Sequence, residues 1–319
     1  MGDAEPALVA EVAAPAALRE PFAVFDSFLP EADALAMRAA FDTHFSNPHR
    51  HQPATHQIWN YWYVPGLYTY LRTSPDRLMP RPLVDRFVAR LTDFATQRLG
   101  LGRVTWPYLS LYVDGCGQGI HNDSTNGRFG FVYSLTRNDR HSRGGQTIVF
   151  KEGDPFRGRL TRPDAGTGLY DLIEPDFNRL VLFDDRMPHG VQRIEGAMDP
   201  LDGRVVLHGH ISEGDAVFDG PVPPEAVGAA LAPAIEAAID AHAATEDSHH
   251  GPLVVRLEIT AEGRVGAVHV LVDRVVRSDG GDPQPLVRAL IANIAALRLP
   301  PASERSLVTL PILVGGLLP

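Results

Sequence analysis

Residues 112–135 read YVDGCGQGIHNDSTNGRFGFVYSL, and this stretch decides what the chain can be. A Gly-rich turn, Asp114-Gly115-Cys116-Gly117, leads to His121-Asn122-Asp123, and an apolar run from Phe129 to Leu135 follows. Side chains two apart on extended chain share a face. His121 and Asp123 therefore offer an imidazole nitrogen and a carboxylate oxygen on one side of a strand end. A facial metal site needs a third ligand from a distant segment that returns to the same mouth. Alone the triplet is weak, because among 13 histidines roughly one His-x-Asp arises by chance.

Further along, the chain reads GGQTIVF (144–150), RLVLFDDRMPHGVQRI (179–194) and GRVVLHGH (203–210). Short apolar runs recur at Leu109–Val113, Phe129–Leu135, Gln146–Phe150, Leu180–Phe183, Gly190–Ile194 and Val205–Ile211, divided by Gly, Asp and Asn clusters. Such spacing predicts a sandwich or barrel of short strands. His189, just after Leu180–Phe183, stands where a third ligand would return.

Taken together, these motifs resemble the prolyl 4-hydroxylase-like branch of the 2-oxoglutarate/Fe(II)-dependent oxygenases, over about residues 22–211. The resemblance implies a mainly β fold with α, a double-stranded β-helix (jelly roll) with N-terminal supporting helices. It implies that His121, Asp123 and His189 are the catalytic Fe(II) ligands. Arg204 becomes the salt-bridge partner of the distal carboxylate of 2-oxoglutarate, a task suited to a planar guanidinium. Tyr112 matches a tyrosine lining the co-substrate pocket, and Arg128 sits where relatives place residues at the substrate entrance. The implied cofactors are Fe(II), 2-oxoglutarate as co-substrate and O2, with ascorbate as a reductant. The implied reaction hydroxylates an unactivated C–H bond, with an amino-acid side chain, free or within a peptide or protein, as the leading substrate class. Asp123 fills the position a halogenase of this superfamily leaves open for chloride, which favours hydroxylation.

Two departures stand out. His189 and Arg204 are 15 residues apart, longer than is usual in that family, and the extra GAMDPLDG (196–203) reads as a lengthened hairpin. His208-Gly209-His210 closes the strand where an aromatic residue is common. Both histidines share strand parity with Arg204, so they either face inward near the co-substrate or are satisfied imidazoles. Arg193 is the rival anchor, and a solvated strand end is the alternative for Arg128.

Beyond this block, residues 1–20 read as a loose tail. A short strand at Phe22–Phe25 precedes a helix opening near Pro30, with Leu35, Met37, Ala40 and Phe41 on one face. A second helix runs from Arg81 to Leu99 and ends at Gly100. The His- and aromatic-rich segment 47–70 reads as a substrate-covering loop, as aromatic packing or as a second metal site. Residues 154–178 read as a polar excursion from the sheet. The oxygenase unit is assigned to residues 21–218, a linker with an Ala-rich helix (about 225–244) to 219–251, and a small ββαβ α+β domain to 252–319. That last unit loosely resembles the TonB C-terminal-like family over about 252–316. It lacks the family's membrane anchor and Pro-rich spacer, so only a protein contact or dimerisation through an edge strand is expected of it.

Composition narrows the classes. A net charge of -10 lowers the expectation of nucleic-acid binding. One cysteine, Cys116, excludes an internal disulfide and reads as a plain turn residue. The longest apolar stretch, Val308–Pro319, is too short and too rich in Pro and Gly to span a bilayer, and no signal peptide is indicated. A cytoplasmic, bacterial protein acting on a small molecule or peptide is expected. The rivals are a non-catalytic jelly-roll scaffold and a cupin-type metal enzyme that does not use 2-oxoglutarate.

Overall fold

Along residues 204–212, Val205, Leu207 and Ile211 are buried in the main core, while Arg204, Val206, His208 and His210 line a cavity. That alternation builds the site, because the strand turns one face to the supporting helices and the other to the cavity. The structure, a computed structural model, describes residues 16–46, 52, 54, 57–150, 169–196, 198–242 and 249–315.

The chain begins with β1 (Phe22–Phe25), α1 (Glu31–Phe45), β2 (Asn60–Val64), β3 (Tyr68–Thr73) and α2 (Arg81–Arg98). There follow β4 (Arg103–Val104), β5 (Tyr108–Tyr112), β6 (Gly117–His121), β7 (Phe129–Ser134), β8 (Thr147–Phe150) and β9 (Tyr170–Ile173). After these come β10 (Leu180–Asp184), β11 (His189–Val191) and β12 (Arg204–Ser212). All pair antiparallel in one curled sheet of order β1-β10-β7-β12-β5-β3-β6-β11-β8-β9, with β2 on β3 and β4 on β12. From β5 onward, successive strands alternate between halves except for the β8–β9 hairpin: β5, β7, β10 and β12 on one side, β6, β8, β9 and β11 on the other. That alternation is the double-stranded β-helix, or jelly roll. Strand β3 joins the halves by pairing with both β5 and β6.

Helices α1 and α2 cover the β7/β12 side. Ala34, Met37 and Phe41 of α1, and Leu83, Val84, Phe87, Leu91 and Ala95 of α2, recur at three- and four-residue steps and are buried with Tyr133 and Leu207. The Phe87 ring packs tilted against Tyr133, 5.0 Å between centres. Proline opens α2 and Gly100, at φ +65°, follows its end.

The carboxyl-terminal part holds β13 (Val217–Asp219), α3 (Pro224–His242), β14 (His249–Ile259), β15 (Val265–Asp273), β16 (Val276–Arg277), α4 (Gln284–Ala295) and β17 (Ser306–Val314). Its antiparallel sheet has the order β13-β17-β14-β15. Leu253, Val255, Leu257 and Ile259 of β14 face a second core with Val227 and Leu231 of α3 and Leu286, Leu290 and Ile294 of α4. Val254, Leu271 and Val272 belong instead to the first core. A side chain at Gly100 would lie 2.6 Å from both Val254 and Thr309, so the end of α2 touches this sheet closely. Buried Asp184, at the end of β10, accepts hydrogen bonds from Arg186 and from Arg274 (Nε, 3.0 Å), tying the two sheets together.

Four segments gain detail over the sequence reading. Segment 47–70 ends in the β2–β3 hairpin, which carries on to Thr73; its residues 47–51, 53, 55 and 56 lie outside the described ones. The Gly-rich turn stands at Asp114-Gly115, and the Gly117–His121 run after it is strand β6, which the sequence did not show because glycine hides two-residue alternation. The stretch assigned to a linker contributes α3 to the second core, although residues 243–248 lie outside the description. Of the expected excursion, Tyr170–Ile173 is strand β9 and residues 154–168 are not described.

Candidate active site

His121 ends β6, His189 opens β11, and the two are register partners across the ladder. Asp123 lies two residues past the strand in a turn, where its backbone N–H donates to the Asp185 carbonyl at 2.8 Å. Asp123 Oδ2 is 3.4 Å from His189 Nε2 and 4.0 Å from His121 Nε2, and the three donor atoms lie within 4.8 Å of one another. Two imidazoles and a carboxylate thus form a group that could hold a metal ion.

Backbone carbonyls fix which ring nitrogen faces that point. His121 Nδ1 is 2.7 Å from the Gly119 carbonyl and His189 Nδ1 is 2.9 Å from the Met187 carbonyl. A carbonyl only accepts, so both Nδ1 atoms carry the proton and both Nε2 lone pairs point inward. Burial, followed by the neighbouring His189, lowers the His121 pKa and keeps it neutral. For Asp123 burial works to raise the pKa, but His189, His121 and His210 outweigh it and hold it at about 2. The donor set is thus ready to ligate near neutral pH.

A cavity of about 480 Å³ runs from this cluster between the two halves. Arg204 and Tyr112, register partners on β12 and β5, sit in its wall and are both 1% exposed. The Arg204 guanidinium lies 4.8 Å from the centre of the Tyr112 ring, and its Nη2 donates to Thr147 Oγ1 at 3.1 Å. Its Nε and Nη1 have no partner. Burial lowers the Arg204 pKa and raises that of Tyr112. Tyr112 is also stacked on Tyr70 at 5.0 Å.

Arg128 is not a lining residue of this cavity; its Nη2 pairs with Glu213 at 2.7 Å. Arg193 does not line it either. His208 and His210 both do, as their parity with Arg204 required. His208 Nε2 shares a 2.8 Å hydrogen bond with Ser110 Oγ, and burial, with the charges of His210 and Arg204, lowers its pKa to about 3. His210 Nδ1 lies 3.0 Å from buried Asp185, which offsets the effect of burial and raises the His210 pKa. Burial raises Asp185 to about 6 in spite of that partner. Asp185 and Arg72 were missed from the sequence, and Tyr68 and Tyr70 of β3 were read only as part of the aromatic segment 47–70. The alternation in YTYLR (68–72) was the available signal for the latter.

No protein-family model and no curated protein matches the chain. Among solved structures it is similar to a prolyl-4-hydroxylase from Pseudomonas putida: 18% identity, 61% of this chain and 94% of that one, TM-score 0.44. It is also similar to a Trichoplax adhaerens prolyl hydroxylase in complex with a peptide of the hypoxia inducible factor oxygen degradation domain, at 16% identity over 59% and 82% of the two chains, TM-score 0.41. A third is the non-haem α-ketoglutarate-dependent carbocyclase SnoK from nogalamycin biosynthesis, at 15% identity over 61% and 80%, TM-score 0.41.

Proposed function

We propose that the protein is an Fe(II)- and 2-oxoglutarate-dependent oxygenase that hydroxylates a C–H bond of an amino-acid side chain, free or within a peptide. His121, Asp123 and His189 would hold the iron, and Arg204, beside Tyr112 and Thr147, would hold the distal carboxylate of the co-substrate. With both bound, the iron supplies the oxidative chemistry: 2-oxoglutarate, O2 and substrate C–H become succinate, carbon dioxide and the C–OH product. The protein's own groups bind and orient. The two Nδ1–H donors keep the imidazole lone pairs on the iron side, and the cavity wall keeps water from Arg204. Ascorbate would serve only as reductant.

The observation that carries this reading is the state of Arg204. Leaving a buried cation uncompensated costs several kcal/mol. A ring face supplies about 0.5–2 kcal/mol and a single hydroxyl about 1 kcal/mol, which does not balance it. Two buried N–H-bearing atoms without a partner, in the wall of a cavity that also holds a metal-binding triad, call for anionic oxygens from a bound molecule. A cupin-type enzyme without 2-oxoglutarate leaves Arg204 without a task, and a scaffold leaves the triad without one.

Anaerobic addition of Fe(II) and then 2-oxoglutarate tests the reading through the visible charge-transfer band of the chelate. The band should appear in the native protein. In Arg204→Ala it should need roughly thirty-fold or more 2-oxoglutarate, as losing one partner of a buried charge pair costs about 2–5 kcal/mol. An unchanged requirement would remove Arg204 from the site, and no band in the native protein would refute the function. For the carboxyl-terminal part the TonB likeness adds no function here; a protein contact through its sheet is the part of that expectation we retain. No helix among the described residues is long and apolar enough to cross a membrane.

A further inference from the structure

Along β3 the side chains of Tyr68, Tyr70 and Arg72, each two residues apart, line the cavity. Arg72 has an unusual setting. Its guanidinium carbon lies 3.6 Å from the centre of the Trp62 ring and 4.3 Å from that of Tyr108. These rings come from β2 and β5, the strands on either side of β3. A guanidinium with ring faces against it is held in one plane and presents its N–H edge. No carboxylate pairs with Arg72 among the described residues, and Arg72 is only partly buried.

Charge in the cavity points the same way. If the proposed function holds, a dication with Asp123, and the co-substrate dianion with Arg204, cancel. His210 is matched by Asp185, and His208 is neutral. Arg72 is then the one lining charge without a counterpart. We propose that Arg72 recognises a carboxylate of the substrate, its fork held in plane by Trp62 and Tyr108. This deepens the proposed function and rests on it. The substrate is thus an acid, and its carboxylate docks on β3 while the rest of the molecule reaches toward the triad. A cavity of about 480 Å³ has space beyond a ten-heavy-atom co-substrate for such a compact molecule.

The test uses the full chain labelled with ¹⁵N-arginine and loaded with Zn(II), a redox-inert stand-in, and with saturating 2-oxoglutarate. Benzoate and its neutral isostere benzamide are the probes, and the Nε–H signal missing from Arg72→Gln identifies Arg72. Benzoate should shift that signal saturably and bind about tenfold or more tightly than benzamide, as a charge-assisted bidentate pair outweighs a neutral contact. In Arg72→Gln the preference for the acid should vanish, and Arg72→Lys, which keeps charge without the fork, should recover only part of it. Equal binding of acid and amide, an Arg72 signal that never moves, or full benzoate affinity in Arg72→Gln would each overturn the proposal. If 2-oxoglutarate itself fails to bind the Zn(II) protein, the oxygenase reading is what fails. The Arg72 signal can still be followed with benzoate in the unloaded protein.

Discussion

Three residues separated by up to 68 positions meet because a ladder puts two of them opposite each other and a turn folds the third over the strand end. Their donor atoms converge within 4.8 Å, so each single loss leaves two ligands where a facial site needs three. His121→Ala, Asp123→Ala and His189→Ala should each abolish turnover and weaken Fe(II) binding by orders of magnitude, with an unchanged far-ultraviolet circular dichroism spectrum. Calorimetric titration with Fe(II) under argon checks this, and full affinity in any variant would exclude that residue from the site. At this scale the sequence was most informative. His-x-Asp, the Pro-His-Gly turn and Arg204 are readable because their chemistry is bound to short spacings. Asp185 was not, since its role depends on His210, 25 residues away, being brought beside it. The partner of Arg128 was hidden for a related reason: the carboxylate it meets, Glu213, is distant in the chain.

Elements were legible where apolar residues outnumbered glycine. Strands β5, β7, β8, β10 and β12 and helices α1 and α2 fall close to where the apolar pattern put them. Strands β2 and β3 did not show. The β2 side chains Tyr61, Trp62, Tyr63 and Val64 are all exposed, so no alternation of burial separates one face from the other. Close approach of elements was equally hidden, and Gly100 is the sharpest case. Its φ of +65° disfavours any side chain, and a Cβ would stand 2.6 Å from Val254 and Thr309. Strain of about 1–2 kcal/mol from the backbone adds to about 1–3 kcal/mol from overpacking. Gly100→Ala should therefore lower the melting temperature by several degrees or more, with metal affinity retained. A melting temperature equal to that of the native protein would show that α2 and the carboxyl-terminal sheet are not in firm contact.

Over the whole molecule, the two sheets share a boundary that no composition shift at residues 219–251 revealed. Asp184 is 1% exposed and, against the effect of burial, Arg186 and Arg274 hold its pKa down at about 2 from an ordinary 3.8. An acid with a depressed folded-state pKa stabilises the fold above its unfolded value and loses that contribution as pH falls through the folded one. Stability on the order of 2 kcal/mol should therefore drain away between about pH 4 and pH 2. Denaturant melts across that window should show a shallower acid limb in Asp184→Asn than in the native protein, and parallel limbs would dismiss the linkage. The placing of the domain boundary is testable too. Ending the chain at Gly220 keeps every proposed ligand but uncovers the first-core surface that Val254, Leu271 and Val272 occupy. Such a protein should bind Fe(II) yet unfold at lower denaturant. Ending it at Ala244 also leaves Val227 and Leu231 without α4 and should be the less soluble of the two. The reverse order of solubility would mean that α3 rests on the jelly roll.

Because β3 alone, among the described residues, hydrogen-bonds to strands of both halves, the roll has a spine like that of a bound book. Toward one cover the stitching is Tyr68–Gln118 and Thr69–Gly117; toward the other it is Leu71, Arg72 and Thr73 against β5. The proposed iron ligands belong to one cover and the arginine proposed for the co-substrate to the other. A molecule held by both therefore bridges the covers across the inner face of the spine, where Tyr68 meets the His121 ring at 5.1 Å. Swapping one ligand for another of different length would change how far the covers stand apart, with the pivot at Tyr70.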